Sequence, residues 1–318
     1  MKRLIAVLMC ACAVAANAQP RAASYAKQSS GGYPLIAAGR IDTAAVQYLA
    51  KFDDVTLEAA PWAMNVNGAP RADVPLMLRQ LNPRIRLWLY TLAGDFWLPP
   101  TFVPQANDRS AYREQFDAVN AGNGWLYGTD GALWFPDYRV NLADSATVRR
   151  LGDLYVRLVS LRLWDAMFLD DCHTSIAWTT PHTVLWDADT LPVLTRFLDV
   201  RRAGFRSVAA MDSARLANVT RLVARVRAAG GCGFLVAMNG TGPVPPNVQV
   251  QMREGLGTLI SEAEATDWMA RPGLRWMKAE CYSPAECEQK RAMLLRCANG
   301  RGIVSLGPDR GWPAVLVK

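Results

Sequence analysis

Short apolar runs alternate along this chain with stretches of helical period, the arrangement of a parallel sheet with crossover helices. The runs are Tyr33–Ala38, Phe52–Leu57, Arg86–Thr91, Ala166–Leu169, Gly233–Met238, Gly257–Ser261, Arg275–Ala279 and Gly302–Leu306. Eight is the strand number of a closed barrel, so the pattern predicts an α/β fold, a single (β/α)₈ TIM barrel.

Two helices stand out. One starts at Asp144 or Ser145 and carries Val148, Leu151, Tyr155 and Leu158 on one face, then feeds into Ala166–Leu169. The other carries Leu216, Val219, Val223 and Val226 and stops at Gly230-Gly231, ahead of the next run. Two connections exceed the usual short loops. Residues 92 to 143, after the third run, hold a helix around Ala111–Val119 and a hairpin of Trp125–Tyr127 with Ala132–Phe135, turning at Asp130-Gly131. Residues 172 to 189 follow the fourth. Both leave the carboxyl ends of strands, where barrel active sites lie.

The first residues change the picture of where the chain works. Met1-Lys2-Arg3, the apolar Leu4 to Val14 and the small-x-small Ala16-Asn17-Ala18 read as a signal peptide over 1–18, leaving a barrel over 19–318. A secreted or periplasmic protein is expected, and no later stretch reaches the ~18 apolar residues of a membrane span. Removing Lys2 and Arg3 lowers a net charge of +7 by two. The remainder is spread along the chain without the basic, aromatic-studded stripe of a nucleic-acid binder. A monomer is expected. Cys10 and Cys12 leave with the leader. Of Cys172, Cys232, Cys281, Cys287 and Cys297, the pair Cys281 and Cys287 is the favoured disulfide, and the spacings fit no zinc ribbon.

The sharpest chemical feature is Phe168-Leu169-Asp170-Asp171, an apolar strand ending in adjacent carboxylates that folding alone would not favour. Strand alternation sends the two apart, so one of them faces a ligand. Hydrolysing a glycosidic bond takes a second carboxylate. Glu262 leads, after Gly257–Ser261, with Glu264, Glu280 and Glu58 behind it. Asn239, ending the fifth run, could bind a sugar hydroxyl or orient a carboxylate. Asn239-Gly240-Thr241 and Asn218-Val219-Thr220 match a glycosylation pattern by accident, the latter inside a helix. His173 and His182 are the whole histidine complement. With no Gly-x-Ser-x-Gly elbow, this argues against a serine triad, and His173 reads as a partner for a catalytic carboxylate. Tryptophans are numerous at 11, and Trp97, Trp125, Trp134, Trp178 and Trp186 fall in the long loops, where indole rings suit the apolar faces of sugars. Trp88, Trp164 and Trp276 read as core.

Four segments taken together are similar to a known family: Arg86-Leu87-Trp88-Leu89-Tyr90, Trp134-Phe135-Pro136-Asp137, Asn141-Leu142-Ala143-Asp144, and Trp164-Asp165-Ala166-Met167-Phe168-Leu169-Asp170-Asp171. They resemble the glycoside-hydrolase-like (β/α)₈ barrels related to endo-α-1,4-polygalactosaminidases, whose fourth strand presents a catalytic aspartate. The resemblance gives Asp170 that position and Glu262 that of a sixth-strand carboxylate. Trp164 and Ala166 depart from the family's glycines. The expectation is a secreted glycoside hydrolase acting on a carbohydrate. Asp170 would be nucleophile or base and Glu262 the acid, with Asp171 beside them and no metal or organic cofactor. The alternatives are a glycan-binding barrel without activity and a metal-dependent deacetylase or esterase.

Overall fold

Eight parallel strands close on themselves in a computed structural model that describes residues 19–25, 36–37, 40–41, 43–58, 73–96, 111–128, 131–133, 138–176, 198–307 and 317. The expected leader lies outside them. In chain order the strands are β1 (Arg21–Tyr25), β2 (Ile36–Ala37), β3 (Arg40–Ile41), β4 (Asp54–Glu58), β5 (Arg86–Leu92) and β6 (Asp95–Phe96). There follow β7 (Tyr138–Arg139), β8 (Ala166–Asp170), β9 (Leu235–Met238), β10 (Val250–Arg253), β11 (Leu274–Ala279) and β12 (Ile303–Leu306). The helices are α1 (Thr43–Leu49), α2 (Asp73–Leu81), α3 (Ala111–Asn120), α4 (Ser145–Ser160), α5 (Val208–Gly230), α6 (Glu262–Ala270) and α7 (Pro284–Ala298). The barrel runs β1, β4, β5, β8, β9, β10, β11, β12 and back to β1. The single α/β barrel expected from the hydrophobic pattern is therefore the fold, with two of its strands in other places.

The first barrel strand is Arg21–Tyr25, whereas Ile36–Ala37 of the expected run forms a two-residue antiparallel pair with Arg40–Ile41. The sixth is Val250–Arg253, paired to β9 and β11. Residues 255–260 instead make a tight turn through Gly255 and Gly257, whose positive φ (87° and 76°) breaks an extended run. Period-2 alternation marks the true strand: Val250 and Met252 are buried while Gln251 and Arg253 are not. The continuous apolar character of Thr258-Leu259-Ile260 had no such alternation, and Leu259 points into solvent.

Alternation also explains the interior. Trp88, Tyr90, Phe168 and Trp276 belong to one fully enclosed cluster with Val250 and Met252. Ring centroids are 5.3 Å apart for Trp88 and Trp276, 5.4 Å for Phe168 and Trp276, and 5.6 Å for Tyr90 and Phe168. These offset rings fill the barrel as a packed core, not a pore. The floor beneath them is ionic. Asp54, fully buried at the start of β4, accepts from Trp88 Nε1 at 2.7 Å and pairs with Arg21 Nε at 2.7 Å and Arg86 Nε at 3.3 Å. Burial pulls the Arg86 pKa down, with Asp54 opposing that shift.

The helices form a shell on the opposite face of the strands. Asp144 caps α4 by accepting from the Thr147 amide at 2.7 Å, and α5 ends at Gly231 with φ 85°. Asn218 is buried and donates to the carbonyls of Leu142 and Ala143, so its glycosylation pattern is indeed incidental. Cys281 and Cys287 form the expected disulfide, while Cys172 and Cys297 are buried thiols. No helix among the described residues is long and apolar enough to cross a membrane.

Removing the floor carboxylate would leave two inward arginines around a vacated anion. Asp54→Leu is expected to lower stability by about 3 kcal/mol, read as a lower urea midpoint at unchanged slope.

Candidate active site

A continuous polar chain crosses the carboxyl mouth of the barrel, contributed by consecutive strands. Asp170, the last residue of β8 and 1% exposed, accepts among the described residues from Tyr90 Oη at 2.6 Å, Asn239 Nδ2 at 2.9 Å and the Asp171 amide at 3.1 Å. Tyr90 stands on β5, and Asn239 immediately follows β9. The same Asn239 nitrogen donates to Glu254 Oε1 at 3.2 Å. Glu254 is the residue after β10, and its Oε2 meets Lys278 Nζ at 3.1 Å. Lys278, on β11 and 2% exposed, also pairs with Glu280 Oε1 at 3.3 Å, and Glu280 Oε2 accepts from Tyr282 Oη at 3.0 Å. Asp170, Asn239, Glu254, Lys278 and Glu280 lie at or just past strand ends where alternation turns them inward, as it does Tyr90.

The turn after β8 is held by its neighbours' lack of side chains. A Cβ on Gly94 would lie 1.8 Å from the Asp171 carbonyl oxygen, and one on Gly240 would lie 2.6 Å from that of Cys172. The Asp171-Cys172 backbone is thus pinched between two glycines, one after β5 and one after β9. Asp171 itself has φ 48°, the left-handed region that aspartate tolerates better than most residues. Beyond the barrel hydrogen bonds, Cys172 N donates to Asn239 O and Thr174 N to Thr241 O, continuing the β8–β9 pairing outward. From α5, Asp212 accepts from Ser175 Oγ and the Ile176 amide, and Arg215 donates from Nε (3.1 Å) and Nη2 (2.8 Å) to the His173 carbonyl. Burial pulls the Arg215 guanidinium down to about 10, and burial pushes the Cys172 thiol up to about 12, which leaves that thiol protonated and unreactive.

His173 accepts the Thr241 amide at 2.9 Å through Nδ1, so its neutral ring carries the proton on Nε2, which faces Asp171 Oδ1 at 3.6 Å. Burial lowers its pKa, with the Asp171 interaction opposing the shift. Protonating Nδ1 would also cost the Thr241 hydrogen bond.

The expected site residues divide. Asp170, Asn239 and Glu280 come together in the polar chain, and Asp171 and His173 sit beside it. Glu262 does not join them. It is the half-exposed first residue of α6, bound by both oxygens to Arg296 of α7, which lowers its pKa. Glu264 closes the capping box of the same helix by accepting from Ser261. These two carboxylates follow the 255–260 turn instead of a strand, so helix-start chemistry accounts for them. Glu58 ends β4 opposite Tyr90, but its side chain lies outside the described residues, as do Trp97, Trp134, Trp178, Trp186 and His182. Trp125 is core: it packs on Phe96 and Phe116 at 5.4 and 5.7 Å. Tyr90, Glu254 and Lys278 were missed. The signal was available in strand parity, since Lys278 is the one cation in Trp276-Met277-Lys278-Ala279 and Glu254 continues the inward row Val250, Met252.

Neither a family model nor a curated protein matches the sequence. Among solved structures, the chain is similar to a xylosidase from Aspergillus niger at 9% identity, over 95% of this chain and 45% of the xylosidase, with a TM-score of 0.56. It is also similar to the PgaB (BpsB) glycoside hydrolase domain from Bordetella bronchiseptica (14% identity, 85% of this chain and 88% of that one, TM-score 0.49). An α-galactosidase from Lactobacillus brevis follows (10% identity, 84% and 34%, TM-score 0.45). What is shared is the barrel. The chain spans less than half the length of the xylosidase, and at such identity the likeness is one of fold.

Two outcomes follow from this geometry. Gly240→Ala must displace the Cys172 carbonyl and with it the Asp170 turn; a lower melting temperature and a loss of whatever ligand the mouth binds are expected together. The buried His173 binds a proton less readily folded than unfolded, so its contribution to stability is complete above about pH 6.5 and is lost as pH falls toward the lowered folded value. Melting measured at pH 7 and pH 5.5 should therefore show a larger drop for the native chain than for His173→Asn, whose Oδ1 can still accept the Thr241 amide.

Proposed function

We propose that this protein is a secreted glycoside hydrolase that cleaves a polysaccharide or oligosaccharide with Asp170 and Glu254. The observation that carries the reading is the single amide nitrogen of Asn239, which donates to both carboxylates. Donor distances of 2.9 and 3.2 Å from that one nitrogen keep Asp170 Oδ1 and Glu254 Oε1 no more than about 6 Å apart. That spacing fits attack by one carboxylate on the anomeric carbon, with retention of configuration.

The partners suggest the division of labour. Glu254 is ion-paired to Lys278, which favours its anionic form, and serves as nucleophile. Asp170 faces the Tyr90 hydroxyl, which can donate to a carboxylate or accept from a carboxylic acid, so it can give a proton to the leaving oxygen. Asp170, then ionised, takes a proton from the water that displaces the sugar from Glu254. The carboxyls of Asp170, Asp171, Glu254 and Glu280 outnumber the Lys278 ammonium, and this excess favours a cationic sugar. A galactosamine polymer satisfies that requirement and agrees with the family resemblance. The leader and the Cys281–Cys287 bridge support export to an oxidising compartment.

A purified chain lacking residues 1–18 is expected to shorten an α-1,4-linked galactosamine polymer, with the retained anomer seen first by proton NMR. Glu254→Gln should lose at least about 10³-fold on polymer and on aryl glycosides alike. Asp170→Asn should lose as much on polymer but far less on an aryl glycoside whose leaving group needs no proton. Glu262→Gln should leave turnover unchanged. Polymer that is bound but never cut would make the barrel a glycan binder.

A further inference from the structure

At the end of the barrel away from the mouth, where helices hand over to strands, arginines recur around the ring. Arg84 precedes β5, Arg162 precedes β8, Arg227 stands in the last turn of α5 ahead of β9, Arg271 precedes β11 and Arg301 precedes β12. All are exposed, and among the described residues none of them pairs with a carboxylate. The carboxylates at this end are engaged elsewhere. Asp54 holds Arg21 and Arg86, Asp165 holds Arg79 and the Leu87 amide, and Asp53 accepts from the Ala22 amide. A cation in a last helical turn complements the helix dipole, which accounts for Arg227. Arg84, Arg162 and Arg301 lie past the ends of their helices, in short turns. Arg162 gives one nitrogen to the Gly230 carbonyl at 2.9 Å, and the Arg301 amide is fixed on Ala298 O at 2.9 Å. The opposite end has the opposite sign, with Asp170, Asp171, Glu254 and Glu280 around Lys278.

We propose that this basic floor docks the barrel on an anionic phospholipid bilayer, with the mouth turned away from the lipid. The turns that carry the arginines all lie at one end of a closed barrel, so their charges are spread around a ring facing one way. A ring of separated cations matches a two-dimensional field of phosphate headgroups, whereas a linear polyanion calls for a stripe or groove. Leu81, 51% exposed at the end of α2 beside the Arg84 turn, adds an apolar side chain at the same end. The acidic mouth is repelled by the same surface, so attraction at one end and repulsion at the other set the orientation. Both act over about a Debye length, ~10 Å at 0.1 M salt, which makes the docking reversible by salt. The inference stands on the floor alone and holds whatever the mouth does to its ligand.

The test is co-sedimentation of the chain lacking residues 1–18 with vesicles of equal parts phosphatidylglycerol and phosphatidylcholine, beside vesicles of phosphatidylcholine alone. Binding is expected to the anionic vesicles only, and to be lost on raising the salt. Arg84→Gln, Arg271→Gln and Arg301→Gln combined should weaken it roughly 100-fold, while lysine at the same three positions should preserve it. A control removes as much charge from the mouth half: Arg149→Gln, Arg201→Gln and Arg206→Gln, all at exposed positions near the starts of α4 and α5. It should bind nearly as the native chain does, and melting temperatures check that each variant is folded. Equal losses for the two glutamine triples overturn the proposal, because net charge and not the floor would then govern binding. Equal binding to both kinds of vesicle, or none to either, overturns it as well. Capture of soluble dextran sulfate through the floor arginines, without vesicle binding, would make the floor a polyanion site instead of a membrane dock.

Discussion

One side-chain amide holds the mouth of this barrel together. Carboxylates on β8 and just past β10 would repel each other at close range, and they belong to strands that never pair. Asn239, standing between them after β9, donates from a single nitrogen to both. That arrangement demands the register of β8 against β9 and β9 against β10, because a slip of one residue would turn Asn239 outward. The backbone fixes the register where it counts: Asn239 N donates to Leu169 O, and Asn239 O accepts from Cys172 N.

The same strands carry an ionic end at the bottom, an aromatic middle and an ionic end at the top. Asp54 with Arg21 and Arg86 closes the floor, and the rings of Trp88, Trp276, Phe168 and Tyr90 fill the space above. Tyr90 joins the last two layers, packing its ring on Phe168 while its hydroxyl reaches Asp170. The aromatic layer excludes water from beneath the acidic residues, which strengthens each hydrogen bond above it and raises the cost of leaving any one unmade. Charge at the floor is closed in around Asp54, whereas at the mouth it grades from the buried Asp170 and Lys278 to the partly exposed Glu254 and Glu280.

How much of this could be read beforehand depends on the kind of signal. The α4 and α5 helices, with their caps at Asp144 and Gly231, were legible because caps and helical periodicity are local. The acidic end of β8 was legible because two carboxylates after Phe168-Leu169 violate the usual burial preference. The second carboxylate was not. Glu262 followed a run that was apolar but not extended, and two positive-φ glycines converted that run into a turn. Once the sixth strand moves back to Val250–Arg253, Glu254 takes the strand-end position and Glu262 becomes the start of a helix, satisfied by Arg296.

The sequence by itself determined the alternation of strands and helices, hence the barrel, together with the aspartate at the end of its fourth strand and the Cys281–Cys287 pairing. These follow from periodicity, capping and short-range spacing, which act over a few residues. Only the tertiary structure decided which carboxylate faces Asp170, that a lysine buried in β11 lies beside it, and that Trp125 packs inside. Strand parity turns Glu254 and Lys278 inward, but only the closing of strands far apart in the chain into one ring brings them to Asp170.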